Sequence, residues 1–449
     1  MATGNNLAAE EGLSLVARVR KRTVVAWGLW DWGSAAYNAV IISFVFGPYL
    51  TTGVAKNLPE GSLSGPTWLG ISTGIAGLAI ALLAPVTGQR ADAGGRRRRS
   101  LAIWTGLVIA STFGLYFVKQ DYHYLWLGLA LFGIGSVFSE FAGVSYNAML
   151  PQVSTPRTIG AVSGFGWSMG YFGGIVLLLI CYVGFIHPDM GWFGATAEGG
   201  LKYRMVAVFA GLWFLVFAIP VLVAVPEIAP GPRSQRVGFF ASYRVLWHHL
   251  RSLFRADRNA VFFLVASALY RDGLAAVFSF GAILAVSVYG LNPGSVLIFG
   301  VAANVVAALG ALTAGFIEDR VGPKPIILVS LGGLVTTALA LLFLHGPTMF
   351  WIFGLILCLW VGPAQSSSRT FLARLAPVGR EGEMFGLYAT TGRAVSFLAP
   401  SLFAVFSGVF DSDRLGIIGI ALVLLAGAVA LSLVKPPARM QPVPLDAAS

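Results

Sequence analysis

Charge is what this 449-residue sequence has least of. Only 11% of its residues are Asp, Glu, Lys or Arg, against 57% hydrophobic, and the mean hydropathy is +0.78. Soluble domains carry roughly a quarter charged residues, and a soluble core of this size would lack the polar surface to cover it. That excludes a soluble class and leaves a polytopic helical membrane protein. Cysteine is nearly absent. Cys181 and Cys358 stand far apart within apolar runs, which excludes a disulfide framework and a thiolate zinc site. The five histidines (His123, His187, His248, His249 and His345) fall in loops or at the ends of apolar runs. His248 and His249 are adjacent rather than a helical turn apart, so no metal site is expected. No G-x-x-x-x-G-K-[ST] loop occurs, which excludes ATP drive by this chain. No nucleophile, base and orienting group can be assembled, so neither an enzyme nor a cofactor is expected. Residues 1–13 lack the basic, apolar and small-residue order of a signal peptide, and the first apolar run reads as a retained helix.

What the sequence has in abundance is apolar length. Twelve runs can cross roughly 30 Å of hydrocarbon. They lie at residues 24–50, 67–87, 101–119, 124–147, 159–186 and 203–226, then 259–286, 294–316, 325–344, 348–371, 384–409 and 415–434. The long polar interval at 227–258 divides them six and six. The expected organisation is an N-terminal tail (1–23), a six-helix bundle (24–226), a linker (227–258), a second six-helix bundle (259–434) and a C-terminal tail (435–449). The linker holds Pro230, Pro232 and a basic stretch from Tyr243 to Arg251, with Trp247, Leu246 and Val245 assigned to one face of an interfacial helix. Most of the 30 basic residues fall at one set of ends, among them Arg18, Arg20, Lys21, Arg22, Arg96 to Arg99, Arg157, Arg233, Arg236, Arg320, Lys324 and Arg439. Both termini are therefore expected in the cytoplasm. The net charge of +11 reads as this topology signal and as contact with anionic lipid, not as a nucleic-acid surface.

Two loops repeat. Gly88-Gln89-Arg90-Ala91-Asp92-Ala93-Gly94-Gly95-Arg96 follows the second run, and Gly315-Phe316-Ile317-Glu318-Asp319-Arg320-Val321-Gly322 follows the eighth. Leu150-Pro151 and Ala376-Pro377 repeat too, each followed by a glycine pair, Gly164 and Gly170 against Gly386 and Gly392. Repeated halves with a site between them are the usual construction of secondary transporters. The Asp loops resemble those of the major facilitator superfamily, and the resemblance implies its fold, an all-α polytopic protein of 12 transmembrane helices in two pseudosymmetric six-helix halves.

Polar groups within the runs are costly and so are functional candidates. Asp31, Ser34 and Asn38 are spaced three and four apart and share one helical face, with Tyr37 beside them. Asp31 is a candidate for proton binding or for pairing with a cation. The fourth run holds Glu140 and Asn147. The seventh holds Arg271, suited to a substrate carboxylate, and Asp272, turned about a quarter of the way round the helix from it. Gln365 joins this substrate and coupling set. Gating is assigned to Asp92 with Arg96, to Asp319, and to Arg369 and Arg393, placed in the cytoplasmic third.

A narrower resemblance rests on specific stretches. Trp27-Gly28-Leu29-Trp30-Asp31-Trp32-Gly33-Ser34-Ala35-Ala36-Tyr37 is similar to the opening signature of the Atg22-like group of facilitators. So are Tyr146 to Pro151, Ser163 to Gly174, Gln365 to Arg369, Phe385 to Tyr388, and Gly392-Arg393 further on. Gly33 stands where Asn is usual, Ser366-Ser367 replaces Ala-Leu, and Arg393 replaces a more frequent Lys. The resemblance implies a vacuolar amino-acid effluxer in fungi and a permease in bacteria. The expected function is a secondary transporter of a small metabolite, amino acids first, working by alternating access with proton coupling. It would act as a monomer in a bacterial inner membrane, with membrane lipids and no nucleic acid as partners. A transporter-like scaffold that binds lipid or pigment without turnover is the alternative.

Overall fold

Apolar length decides the architecture. In the computed structural model, which describes residues 20–227, 239–256 and 258–436, twelve helices are long and apolar enough to cross a membrane. The tail residues Arg18 and Arg439, and the linker's Pro230, Pro232, Arg233 and Arg236, lie outside the described residues. The spans are Lys21–Asn57, Gly65–Ala93, Arg97–Phe117, Tyr122–Gln152, Ile159–Ile186 and Glu198–Ala224, then Arg258–Ser287, Gly294–Val321, Pro323–Phe343, Pro347–Leu375, Glu381–Val409 and Asp413–Leu433. They are called spans one to twelve below, and the first and second six are the N and C bundles. The end of the molecule at which the Asp92 and Asp319 loops lie is the Arg-rich end. No strand occurs among the described residues.

Two departures from plain α-helix bear on the candidate residues. Span one is α-helical over Lys21–Ala35 and then widens into a π-helix over Ala36–Phe44. The Ser43 hydroxyl donates to the Asn38 carbonyl at 2.9 Å. Widening changes the angular step per residue between Ser34 and Asn38. Ser34 is buried and donates to the Asp31 backbone carbonyl (3.1 Å), whereas Asn38 is exposed. Span eleven breaks between Glu381–Val395 and Leu398–Val409. Asp272 explains the restart, because its Oδ2 accepts the Ala399 N–H at 2.6 Å and satisfies a donor in the new helix's first turn. Asp272 is thus a structural cap, and the coupling role expected of it is not supported by its contacts.

The bundles meet along two crossed pairs, span two with span eleven and span five with span eight. Both pairs use small residues to bring backbones together. A Cβ on Gly88 would lie 1.9 Å from the Gly382 carbonyl oxygen, and one on Gly386 would lie 2.5 Å from that of Ala84. In the other pair, a Cβ on Gly315 would lie 2.6 Å from the Gly160 carbonyl oxygen, and one on Gly164 would lie 2.3 Å from that of Ala311. The repeat extends to the loops, where Gly95 and Gly322 make the chain reversals at φ of 60° and 89°.

The linker helix, Phe239–Ala256, packs on spans two and seven. Tyr243 donates its hydroxyl to the Leu82 carbonyl at 3.0 Å. Val245 and Leu246 are partly sheltered, but Trp247 is 68% exposed beside His248 and Arg251.

Candidate functional site

At the Arg-rich end the two Asp loops do the same thing twice. Each carboxylate leaves its own bundle and caps the first turn of a span in the other. Asp92 Oδ2 accepts the Glu383 N–H at 2.9 Å at the start of span eleven. Asp319 accepts the Gly160 and Ala161 N–H groups at 2.8 and 3.0 Å at the start of span five. A negative group at a helix N-terminus satisfies orphan donors and meets the positive end of the dipole. Arg97 completes the first of these sites. It is buried, donates its Nε to Asp92 (2.7 Å) and its Nη1 to the Ala148 carbonyl (3.1 Å), and pairs through Nη2 with Glu381 of the opposite bundle. Arg96, the expected partner, is exposed. It is the N-cap residue of span three, outside the first turn, so the adjacent arginine is the one aimed at Asp92.

About two turns deeper, hydroxyls cross the interface. Thr390 of span eleven donates to the Ala81 carbonyl at 2.8 Å. That carbonyl has no intrahelical partner of its own, because Pro85, four residues on, lacks an N–H. Ser168 of span five donates to the Ala308 carbonyl at 2.7 Å. Ser168 and Thr390 each stand four residues after the corresponding glycine, Gly164 or Gly386.

Four of the stretches singled out in the sequence meet at one guanidinium. Arg369 of span ten donates Nη1 to Asp31 Oδ2 (3.3 Å) and to Asn147 Oδ1 (3.2 Å). It also donates Nε to the Ser163 hydroxyl (3.0 Å) and Nη2 to the Ser163 carbonyl (2.6 Å). Tyr146 donates its hydroxyl to Asp31 Oδ2 at 2.9 Å, and its ring is sandwiched between Trp27 and Trp30, with centroids 4.4 and 4.3 Å away. The guanidinium carbon of Arg369 lies 4.9 Å from the Trp27 ring and 5.6 Å from that of Trp167, a favourable position for a desolvated cation. Gly166 leaves the room: a Cβ there would be 2.6 Å from Trp27 and 2.9 Å from Arg369. The result is an ion pair between bundles, walled by aromatic rings, with the side chain of Arg369 only 5% exposed.

Two further polar contacts cross the bundles. Glu140 pairs with Arg393 at 3.1 Å. Arg393 stands twelve residues into span eleven, about 18 Å from its start at 1.5 Å per residue, so it belongs to the middle of the membrane and not to the Arg-rich third. Tyr171 donates to Gln365 Oε1 at 2.7 Å.

Arg271 behaves differently. It lies 3.7 Å from the centroid of the Tyr388 ring and donates one N–H to the Tyr388 carbonyl at 2.8 Å. Among the described residues it has no carboxylate partner. Asp272, next in sequence, points instead at Ala399. Gly392 provides the space, since a Cβ there would be 2.9 Å from the guanidinium.

Tyr37 stays outside this cluster. It is 1% exposed and donates to the Phe132 carbonyl at 2.7 Å, pinning span one to span four within the N bundle. Tyr37→Phe is expected to cost about 1 kcal/mol of stability and to leave transport intact, as a detergent melt beside a flux assay would show. Residues that sequence reasoning overlooked include Arg97, Glu381 and Ser163. The first was one of a run of four arginines, and only the helix start distinguishes it.

Comparison with known proteins agrees with this geometry. The family described as "Vacuole effluxer Atg22 like" matches residues 69–440. An uncharacterised MFS-type transporter of Bacillus subtilis, YxiO, is 24% identical over 91% of this chain and 94% of its own. Autophagy-related protein 22-1 of Neosartorya fischeri is 27% identical over 59% of this chain. The match spans about half the length of the fungal relatives (45% of this one). Among solved structures, the proton:xylose symporter XylE bound to 6-bromo-6-deoxy-D-glucose superposes with a TM-score of 0.70 at 14% identity, over 92% of this chain and 95% of the other. The E. coli fucose:proton symporter FucP gives 0.69 at 11%, over 92% and 98%. These likenesses show the major facilitator fold. With the family match, they make this chain a membrane transporter, not an enzyme, and a member of the Atg22-like group of the major facilitator superfamily.

Proposed function

We propose that this chain moves a small carboxylate-bearing metabolite, amino acids first, out of the cell by alternating access coupled to protons. The Arg-rich end is the cytoplasmic one, and the moving bodies are residues 24–226 and 259–434. One observation carries the reading. The bundles are held together by polar contacts that can be broken and remade, namely two carboxylates on opposing helix starts and, further in, the Asp31–Arg369 ion pair. An interface meant to stay shut would be stabilised as well by well-packed apolar residues. Closure at one end by contacts of this kind, with Glu140, Arg393 and Arg271 deeper between the bundles, is the arrangement in which two bundles rock about a central site. Arg271 supplies the substrate contact, because a cation on an aromatic face without a carboxylate partner suits an incoming carboxylate. The protein works as a monomer in a bacterial inner membrane with both termini in the cytoplasm.

The test is uptake of a labelled amino-acid mixture into proteoliposomes holding the full chain, with and without an imposed pH gradient. Wild type is expected to accumulate label against its gradient when protons are supplied. Arg271→Gln removes a charged hydrogen bond worth about 1.5–3 kcal/mol, so KM is expected to rise at least about tenfold with kcat less affected. Equal KM in both proteins for every substrate carried would remove Arg271 from the binding site.

A further inference from the structure

The carboxyl groups at the bundle interface are satisfied, with one exception. Asp31 has Arg369 and Tyr146, Asp92 has Arg97 and the Glu383 N–H, and Glu140 has Arg393. Asp272 and Asp319 cap helix starts, Glu381 pairs with Arg97, and Glu383 pairs with Arg380. Glu318 has neither a cation at ion-pair distance nor a backbone N–H among the described residues. It is 0% exposed. Its Oε2 accepts the Ser367 hydroxyl at 2.6 Å, while its Oε1 is buried and accepts no hydrogen bond.

Its surroundings explain what covers it. Span ten contributes Ser367, Thr370 and Arg374, and Arg374 carries the positive charge that acts on Glu318. Its own helix contributes Asp319, whose carboxylate is occupied at the start of span five. Span five lies against it at Gly160. A Cβ on Gly160 would lie 3.0 Å from the Glu318 Cβ, so the lid over Glu318 is the opposite bundle. The Thr370 hydroxyl is close by but donates to the Ser366 carbonyl at 3.2 Å, and a buried charge with an oxygen that accepts no hydrogen bond is far costlier than the neutral acid in the same place. Once the bundles part, water replaces the lid and that cost disappears.

We propose that Glu318 is a proton-binding site, loaded as the Arg-rich end closes and emptied as it opens. On closure a proton leaves water at that end and forms an O–H bond on Glu318 Oε1, the oxygen without a donor. On opening that bond breaks and the proton returns to water at the same end. The proposal rests on the alternating-access reading and adds a pH dependence to its closing step: because the proton returns to the side it came from, Glu318 carries none across the membrane, and any coupling proton is a separate one. Acid at the Arg-rich end therefore favours the closed form.

Spin labels at Arg157→Cys and Val378→Cys, on exposed loops of opposite bundles, measure the opening in nanodiscs. The native Cys181 and Cys358 are buried, which directs labelling to the new positions. Between about pH 5 and pH 9, wild type is expected to pass from a short to a longer distance. In the titrating range the open-to-closed ratio should change about tenfold per pH unit, the signature of one proton. Glu318→Gln is neutral at every pH and should keep the short distance throughout. Ser367→Ala removes the donor that favours the ionised form, so its transition should move to higher pH. A wild-type transition retained in Glu318→Gln, or an unmoved midpoint in Ser367→Ala, overturns the proposal. Distances that respond to amino acids but not to pH overturn it alone. One fixed distance under all conditions overturns it together with alternating access.

Discussion

Gly88→Ala is expected to hold the Arg-rich end open and to abolish net transport. The added methyl would lie 1.9 Å from the Gly382 carbonyl oxygen, well inside van der Waals contact, and the obstacle is backbone, with no side chain to turn aside. Span two and span eleven must separate by more than an ångström. That separation stretches the bond from Asp92 to the Glu383 N–H and the pairing of Arg97 with Glu381. Overpacking of this kind costs roughly 1–3 kcal/mol, a shift of about 5- to 150-fold in the ratio of open to closed forms. The spin-label pair across the bundles should report a larger open fraction than wild type at every pH, with the transition moved to lower pH. Gly106→Ala is the control, since nothing lies within 4 Å of its Cβ position. A Gly88→Ala protein with wild-type distances and flux would mean that this backbone contact does not form in the membrane.

The second large effect belongs to the central ion pair. Asp31→Asn leaves the Arg369 guanidinium, 5% exposed, without its counter-charge. Removing one partner from a buried pair costs about 3–5 kcal/mol, so a marked drop in detergent melting temperature is expected together with loss of gradient-driven flux. Asp31→Asn combined with Arg369→Gln removes both charges and should recover much of the stability without recovering flux. That non-additivity separates a pair needed for folding from one that must break and re-form during turnover. Wild-type flux in the double variant would demote the pair to structure.

Much of this was legible from residue order, and the reasons are physical. Period and length reveal spans because lipid demands about twenty apolar residues in a helix, and repeats reveal pseudosymmetry because both halves solve the same packing problem. Asp92, Asp319, Asp31, Asn147 and Arg369 were all legible as costly polar groups beside apolar neighbours, and the folded chain gives each a partner in the other bundle. What could not be read was direction around the helix axis. Arg96 and Arg97 differ by one position and about 100°, and only the point at which span three starts decides which is buried. Asp272 looked equivalent to Asp31 until the break in span eleven supplied an N–H for it to accept. Asn38 lies in a π-helical stretch, which no simple period announces. Glu318 was hidden beside Asp319, whose motif drew the attention. Its distinguishing property is the absence of a partner, and an absence is invisible in one dimension.

The missing N–H of Pro85 makes the stiffness of span two depend on its neighbour. While the bundles are together, Thr390 fills the vacant rung at Ala81, and the rod is braced from outside. When they part, the brace leaves with span eleven, and the rod acquires a weak point one turn from the Gly88 contact. In the proposed cycle, span two would therefore be rigid when it has to seal and pliant when it has to yield. A lever that softens only after release resists accidental opening without adding to the work of a committed one.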